Sequence, residues 1–286
     1  MEKKPMDLYN DYIGGFLSRR EFITRLAVIA GGTSAAYSLM IALGNDYAGA
    51  EIISKTDNRI ESSNINFKGA SGDVHANLVL PRGDKKIPGV VVIHEIWGLN
   101  PHIEDVTRRF AVEGFMAIAP DALSSLGGTP EDSQKAFPMM RQLDNEKTVK
   151  DYIAAAKYLQ NHPRSNGNIG VVGFCWGGSM ANQVAVNWPD LKAAAPFYGG
   201  QPDPKDVPKI KASMMLHYAG NDQRINQGIQ AFEEALKKAS IDYKVYMYEG
   251  AEHAFHNDTN ASRYNKEAAQ LAWKRTIEFF REKLSP

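Results

Sequence analysis

The single cysteine of the chain, Cys175, lies in the segment Gly173-Phe174-Cys175-Trp176-Gly177, between an apolar run typical of a strand and a segment typical of a helix. Glycines two residues before and after a nucleophile are typical of a sharp strand-to-helix turn, which lifts the nucleophilic side chain out of the sheet. The free N–H groups and the dipole of the following helix favour a thiolate over a thiol. The pattern therefore predicts a cysteine nucleophile, and the alternative is a buried core cysteine.

A nucleophilic thiol needs a general base and a carboxylate that orients the base. Asp222 and His253 each follow an apolar strand segment, so both are expected at the same sheet edge as Cys175. The chain order of nucleophile, acid and histidine is that of folds with this type of turn. The rival base is His256, three residues after His253, whereas His217 falls inside a strand segment and is interpreted as a packed core residue.

The elements that must position these side chains follow from the apolar pattern. From about residue 60, short apolar strands alternate with segments of helical length, which predicts an α/β fold with a mostly parallel central sheet and helices on both faces. Continuous apolar runs predict five central strands, at residues 88–95, 115–120, 168–174, 192–199 and 212–220. An alternating pattern predicts an antiparallel strand near a sheet edge at residues 74–81, and residues 242–249 are predicted as a final strand. Apolar residues at three- and four-residue intervals predict helices at residues 101–114, 145–163, 177–189, 225–239 and 265–284.

The composition indicates a globular protein with a small-molecule partner. A chain of 286 residues with 43% hydrophobic residues can bury one large core, so residues 51–286 are predicted to form one domain. The 33 basic residues balance 33 acidic ones, which argues against nucleic acid as a partner. A single cysteine excludes an intramolecular disulfide and argues against a thiolate metal site. No metal or cofactor is expected, because a nucleophile, an acid and a base of the kind described above need none. The sequence leaves the oligomeric state open.

Residues 1–50 have the order of an export signal. The paired arginines Arg19 and Arg20 precede an uncharged run at 26–45 and an Ala-Gly-Ala site at 48–50. The surrounding segment SRREFI resembles bacterial twin-arginine signals, which implies that export machinery carries the folded protein to the periplasm. Two alternatives remain, an amphipathic helix of a cytoplasmic protein and an uncleaved membrane anchor, although glycine, serine and threonine residues weaken the run as a membrane span.

Four segments together resemble one known family. HEIWGLN at residues 94–100, GFCWGG around Cys175, AGNDQRI around Asp222 and GAEHAFHN around His253 are similar to motifs of the dienelactone hydrolase family of α/β-hydrolases. The resemblance covers roughly residues 60–284 and implies the α/β-hydrolase fold. It also implies that Cys175 is the nucleophile, Asp222 the acid and His253 the base of an enzyme that hydrolyses a small ester or lactone.

The resemblance assigns further positions around the nucleophile. It implies that Glu95 interacts with the resting thiol and that the backbone N–H groups of Ile96 and Trp176 form the oxyanion hole. Members that cleave dienelactone have an arginine four residues after the catalytic histidine, and Asn257 occupies this position here.

Aromatic side chains close to these motifs are expected to line the substrate site. Trp97, Trp176 and Phe255 would surround the nucleophile and suit an apolar or cyclic acyl group, with His256 as a further lining residue. The alternative is that these aromatic rings pack the loops.

Three classes of function compete for this sequence. The first is the hydrolase; the second is a catalytically silent α/β-hydrolase scaffold that binds a ligand or a partner; the third is a thiol redox protein. Cys175, Asp222, His253 and Glu95 together favour the hydrolase, because a binding module has no need of all four. The redox protein would lack a second, resolving cysteine.

Overall fold

One sheet of eight strands forms the centre of the protein. The structure, a computed structural model, describes residues 19–32 and 51–285 together with the single positions 8, 17 and 35. The strands are β1 (Ile60–Gly69), β2 (Gly72–Pro81), β3 (Ile87–Ile93), β4 (Met116–Pro120), β5 (Ser165–Phe174), β6 (Ala193–Phe197), β7 (Ser213–Ala219) and β8 (Tyr243–Tyr248).

The strand order across the sheet is β1-β2-β4-β3-β5-β6-β7-β8. The six strands from β3 to β8 run parallel, whereas β2 pairs antiparallel with both β1 and β4. Each predicted strand therefore corresponds to a strand of the sheet, and the alternating segment is antiparallel and lies second from the edge. The edge strand β1 has mostly exposed side chains, so no apolar pattern marked it in the sequence.

Helices connect most of the parallel strands. The helices of the described residues are α1 (Arg19–Ala30), α2 (Pro101–Val112), α3 (Ser133–Met140), α4 (Asn145–Gln160), α5 (Trp176–Asn187), α6 (Gln223–Asn226), α7 (Ile229–Lys238) and α8 (Lys266–Leu284). Helix α1 precedes β1, and α8 follows β8. The segment 225–239, predicted as one helix, is divided between α6, which ends at Asn226, and α7, which begins at Ile229 directly after Gly228. The helix α3, which contains Pro138, was not predicted.

Alternate residues of the central strands face opposite sides of the sheet, as the strand period requires. Val90 and Val92 pack into a core with apolar residues of α2 and α8. Val91 and Ile93 pack into a second core with apolar residues of α4, α5 and α7. Each large apolar side chain that is fully buried contributes about 1.5–3 kcal/mol, so these two layers hold the strand ends in a fixed arrangement. Helices thus cover both faces, as predicted.

The helix α1 lies within the segment predicted as an export signal. Its residues Phe22 and Leu26 are buried in a small apolar cluster that also contains Leu8. Among the residues that the structure describes, no helix is long and apolar enough to cross a membrane. Most of the uncharged run and the Ala-Gly-Ala site at 48–50 lie outside the described residues.

Candidate active site

Cys175 occupies the sharp turn between β5 and α5. Its backbone angles are φ 57° and ψ −117°, a region that side-chain-bearing residues rarely adopt and that costs about 1–3 kcal/mol. The Cys175 N–H donates to the carbonyl oxygen of Phe197 in the next strand at 3.0 Å, which helps to hold the turn. The strained turn expected from the Gly-x-Cys-x-Gly pattern is therefore present, and the Cys175 side chain is half-buried at the sheet edge.

The flanking glycines are required by close backbone contacts. A Cβ atom on Gly173 would lie 2.0 Å from the carbonyl oxygen of Gly177. A Cβ atom on Gly177 would lie 2.4 Å from the carbonyl oxygens of Ile93 and His94. These contacts explain why glycine stands on both sides of the sharp turn that the sequence predicts. The same contacts bring the start of α5 against the end of β3, so the backbone of Gly177 lies against that of Ile93 and His94.

Three side chains from separate strand ends form one hydrogen-bonded chain. His253 Nε2 lies 3.0 Å from Cys175 Sγ, and His253 Nδ1 lies 2.5 Å from Asp222 Oδ2. The Asp222 side chain also caps α6, accepting a hydrogen bond from the Ile225 N–H at 3.4 Å. The His253 side chain is 16% exposed, so solvent still reaches the site. A thiol, an imidazole and a carboxylate in this order can transfer a proton to and from a reacting group.

The electrostatic environment of His253 favours the protonated form of its imidazole. Burial alone would lower the pKa of His253, but the negative charge on Cys175 and the hydrogen bond to Asp222 outweigh it and raise this pKa to about 10. At neutral pH the imidazole of His253 is therefore protonated while it contacts Cys175 Sγ and Asp222. The site thus holds a proton donor beside the sulfur atom of Cys175.

The predicted position Glu95 lies at the same sheet edge. Ile93 pairs with Gly173 in the sheet, so Glu95 and Cys175, each two residues further on, leave neighbouring strands at the same level. Glu95 is only 2% exposed, and its carboxylate accepts a hydrogen bond from Asn257 Nδ2 at 2.6 Å. In the described part of the chain, this amide, and not the Cys175 thiol, is the hydrogen-bond partner of the Glu95 carboxylate.

The four residues expected to line the substrate site lie in different environments. Trp97 is partly exposed, whereas the partly buried Trp176 ring stacks on His94 with 5.5 Å between ring centroids. Phe255 is fully buried against the rings of Tyr198 and Tyr248, so the structure does not bring it to an open surface. Its ring packs the loop, which was the alternative reading of these aromatic residues.

His256 is also enclosed. Its ring stacks on Phe174 at 5.0 Å and lies edge-on to Phe197, and burial lowers its pKa well below the usual value. The structure therefore places His256 in the aromatic core, away from the Cys175 thiol that His253 contacts. His217, interpreted as a core residue, is fully buried and hydrogen-bonds the Tyr248 hydroxyl at 2.8 Å.

Two residues at the site were not found from the sequence. Tyr198 has φ 38° and is buried, with its ring 5.0 Å from that of His253. His94 is fully buried and hydrogen-bonds the backbone of Glu95 and of Ala122. Its position directly before Glu95, at the end of an apolar strand, was the only signal in the sequence. Among the described residues, no group of three His, Cys, Asp or Glu side chains could hold a metal ion.

The sequence profile of the Dienelactone hydrolase family matches residues 74–284 of this chain. A protein of Saccharolobus solfataricus, whose name provisionally assigns it as a carboxymethylenebutenolidase, is 35% identical over 246 residues, covering 73% of this chain and 93% of the relative. Protein usf of Aquifex pyrophilus is 36% identical over 207 residues, covering 69% of this chain and 89% of the relative.

Solved structures share the same architecture. A provisionally assigned dienelactone hydrolase of Klebsiella pneumoniae superposes with a TM-score of 0.72 at 26% identity, covering 79% of this chain and 100% of that chain. The dienelactone hydrolase of Anabaena variabilis superposes with a TM-score of 0.63 at 20% identity, covering 80% of this chain and 100% of that chain. The second likeness concerns the fold alone, because its sequence identity is low.

Proposed function

This chain belongs to the dienelactone hydrolase family and is a hydrolase of ester or lactone bonds, and from that premise we propose that it works through an acyl-enzyme on Cys175. The observation that carries the proposal is the hydrogen-bonded chain in which His253 contacts both Cys175 Sγ and Asp222. A silent scaffold has no need of an imidazole that contacts both the sulfur atom of a cysteine and a carboxylate.

In the proposed first step, the Cys175 thiolate attacks the carbonyl carbon of the ester or lactone. The N–H groups of Trp176 and Ile96 hold the resulting oxyanion. Trp176 is the first residue of α5, so its N–H has no partner within the helix. The acyl–oxygen bond then breaks, and the leaving alkoxide takes the proton of His253 Nε2. In sites of this kind, each oxyanion donor contributes roughly 2.7–4 kcal/mol to the transition state.

The second proposed step consumes water. Neutral His253 takes a proton from a water molecule, and the hydroxide attacks the thioester carbon. The carbon–sulfur bond breaks, which releases the acid and regenerates the Cys175 thiolate beside a protonated His253. Asp222 keeps the imidazole in the tautomer and orientation that both steps need. Together, the two steps convert one ester or lactone and one water molecule into a hydroxyl group and a carboxylic acid. The proposed reaction therefore needs no cofactor.

The surroundings of Glu95 favour an uncharged substrate. Its buried carboxylate is hydrogen-bonded to the neutral amide of Asn257 and not to a cation. Two like charges about 8 Å apart at an effective dielectric constant of about 20 repel by about 2 kcal/mol. A substrate that brings a carboxylate to this part of the site, as a dienelactone does, is therefore disfavoured. The half-exposed ring of Trp97 suits an apolar acyl group.

A panel of esters and lactones tests the proposal. The purified protein is expected to hydrolyse para-nitrophenyl butyrate with a kcat/KM at least about tenfold above that for mono-para-nitrophenyl succinate, because only the second carries a carboxylate. Dienelactone and simple lactones complete the panel, and turnover is followed spectroscopically. Binding of these compounds without turnover of any of them would favour the silent scaffold instead.

The control for this panel uses the single cysteine. One equivalent of iodoacetamide should label Cys175 rapidly and remove the esterase activity, because the chain contains no other thiol. A labelling rate typical of a buried thiol, with esterase activity intact, would mean that Cys175 is structural. Thiol-dependent turnover of peroxide would point to the redox alternative.

We also propose that residues 1–50 are a twin-arginine-type signal and that residues 51–286 form the exported catalytic domain. Arg19 and Arg20 stand at the start of α1, and the region that matches the family begins later, at residue 74. The order of paired arginines, uncharged run and small-residue site supports export to the periplasm. A cytoplasmic protein with an amphipathic N-terminal helix and an anchored protein are the alternatives.

Export is tested with a reporter that is active only after translocation of a folded protein. A fusion of residues 1–55 to this reporter should give a signal that disappears when Arg19 and Arg20 are both replaced by Lys. Lysine keeps the positive charge, so the change alters only recognition of the arginine side chains. A signal that survives the double substitution would eliminate the twin-arginine pathway, and a membrane-bound product would support the anchor.

A further inference from the structure

His94 contacts the Glu95–Ile96 peptide and the Trp176 side chain. The N–H groups of Ile96 and Trp176 are those proposed to bind the oxyanion. It follows the last residue of β3 and is fully buried. Its Nδ1 lies 2.6 Å from the carbonyl oxygen of Glu95, and its Nε2 lies 3.1 Å from the backbone nitrogen of Ala122. The fold thus places a buried imidazole with two backbone hydrogen bonds at the end of β3, next to the strand end that carries Cys175.

These two partners assign the tautomer of His94. The Ala122 N–H can only donate, so Nε2 must be the unprotonated acceptor. Nδ1 therefore carries the proton and donates it to the Glu95 carbonyl oxygen. Burial lowers the pKa of His94, against the effect of the Asp121 carboxylate, which keeps the ring neutral and this pattern of donor and acceptor in place.

The hydrogen bond to Glu95 also determines the direction of the Ile96 N–H. The Glu95 carbonyl and the Ile96 N–H belong to one planar trans peptide, in which the two groups point in opposite directions. His94 Nδ1 donates to this carbonyl oxygen, and so does the Gly98 N–H, whose nitrogen lies 3.3 Å from the same oxygen. The two donors hold the peptide plane from one side. The Ile96 N–H must then face away from His94.

The other proposed donor contacts the same imidazole. The rings of His94 and Trp176 stack with 5.5 Å between centroids and 19° between planes. The His94 carbonyl oxygen also lies 2.4 Å from where a Cβ atom on Gly177 would stand, so the two backbones are in contact. One side chain therefore orients the peptide of Ile96 and packs against Trp176.

We propose that His94 is the positioning residue of the oxyanion hole: its Nδ1–H fixes the Glu95–Ile96 peptide so that the Ile96 N–H faces the reacting carbonyl, and its ring fixes Trp176. This inference rests on the proposed function, since it assumes an oxyanion formed by thiolate attack. It adds a residue that touches neither the substrate nor Cys175. Its effect is confined to steps in which an oxyanion forms.

Two reactions of the same thiol separate this role from a general structural one. Ester hydrolysis forms an oxyanion, whereas alkylation by iodoacetamide displaces iodide and forms none. In the full-length His94→Phe enzyme, which keeps a stacked ring but loses both hydrogen bonds, kcat for para-nitrophenyl butyrate should fall about ten- to a hundredfold with little change in KM. The rate of Cys175 alkylation should stay within about twofold of wild type. His94→Asn, which keeps an N–H donor near the position of Nδ1, should recover part of kcat.

His217→Phe is the matched control, because His217 is also a buried histidine with two hydrogen bonds, to Tyr248 and Thr276. It should lower the melting temperature but leave kcat for hydrolysis near wild type. Equal losses of alkylation and hydrolysis in His94→Phe, or unchanged hydrolysis, would overturn the inference.

A crystal structure of His94→Phe gives a readout that needs no substrate. The Glu95–Ile96 peptide should be rotated or adopt two orientations. An unrotated peptide would overturn the inference even if the wild-type enzyme hydrolyses esters. If the wild-type enzyme hydrolyses no ester, the proposed function fails, while the peptide orientation still decides whether His94 holds this backbone.

Discussion

Replacing His253 by Ala is expected to lower kcat/KM for ester hydrolysis by roughly 10³- to 10⁶-fold, as loss of the base does in enzymes with a catalytic triad. His253 is the only side chain that hydrogen-bonds both Cys175 and Asp222 within the described residues. Its loss removes the proton donor for the leaving alkoxide and the base for water. Steady-state kinetics with para-nitrophenyl butyrate give the measurement, and a melting curve checks that the variant is folded at the assay temperature.

His256→Ala is the control, because His256 lies three residues later in the same loop. It is buried between Phe174 and Phe197, so its removal should leave a cavity and cost roughly 2–4 kcal/mol of stability. Below the melting temperature, its activity should fall about tenfold or less. An inactive His256 variant beside a nearly active His253 variant would mean that the base is assigned wrongly.

Asp222→Asn is expected to lower kcat by roughly 10³- to 10⁴-fold without unfolding the protein. The amide can still accept the hydrogen bond from the Ile225 N–H at the start of α6, since Asn caps helices about as well as Asp. The negative charge next to His253 Nδ1 is lost, and the amide can hold the imidazole in the wrong tautomer. The variant therefore separates the charge of Asp222 from its role in the helix.

The pH dependence supplies a second measurement on Asp222→Asn. In the folded protein the pKa of His253 is raised from 6.5 to about 10, partly by Asp222. A raised pKa means that protonated His253 stabilises the fold fully below about pH 6.5, and that this contribution is lost as the pH rises through about 10. Without the Asp222 charge, the pKa of His253 in the folded protein should fall, so that its contribution to stability is smaller and is lost completely at a lower pH. A titration of His253 by NMR, with unfolding measured across this range, reports the shift.

The matched control is Asp144→Asn, which changes another aspartate that caps a helix. Asp144 accepts hydrogen bonds from the Glu146 and Lys147 N–H groups at the start of α4 and does not contact the site. It should leave kcat unchanged and alter stability by no more than about 0.5 kcal/mol. A wild-type kcat and an unshifted His253 pKa in Asp222→Asn would show that Asp222 does not orient the base.

The sequence alone determined the strands β2 to β8 and the place of the proposed nucleophile, Cys175, between a strand and a helix. Continuous apolar runs marked the central strands because these strands are covered on both faces, and this signal is local. The glycines at 173 and 177 marked the turn because backbone contacts exclude a Cβ atom there. The order of Cys175, Asp222 and His253 followed from the strands that precede them. These features depend on residues close together in the chain, so a single sequence carries them.

Only the tertiary structure decided which side chains meet. The Glu95 carboxylate contacts Asn257, 162 residues away, and His253 contacts Cys175, 78 residues away. The same packing buried His256 and brought His94 against the backbone of Ala122, 28 residues on. A periodic apolar pattern shows which face of an element is covered but not which residue covers it. Those contacts are set by the register of neighbouring strands and the path of the loops, which combine parts of the chain that have no local pattern in common.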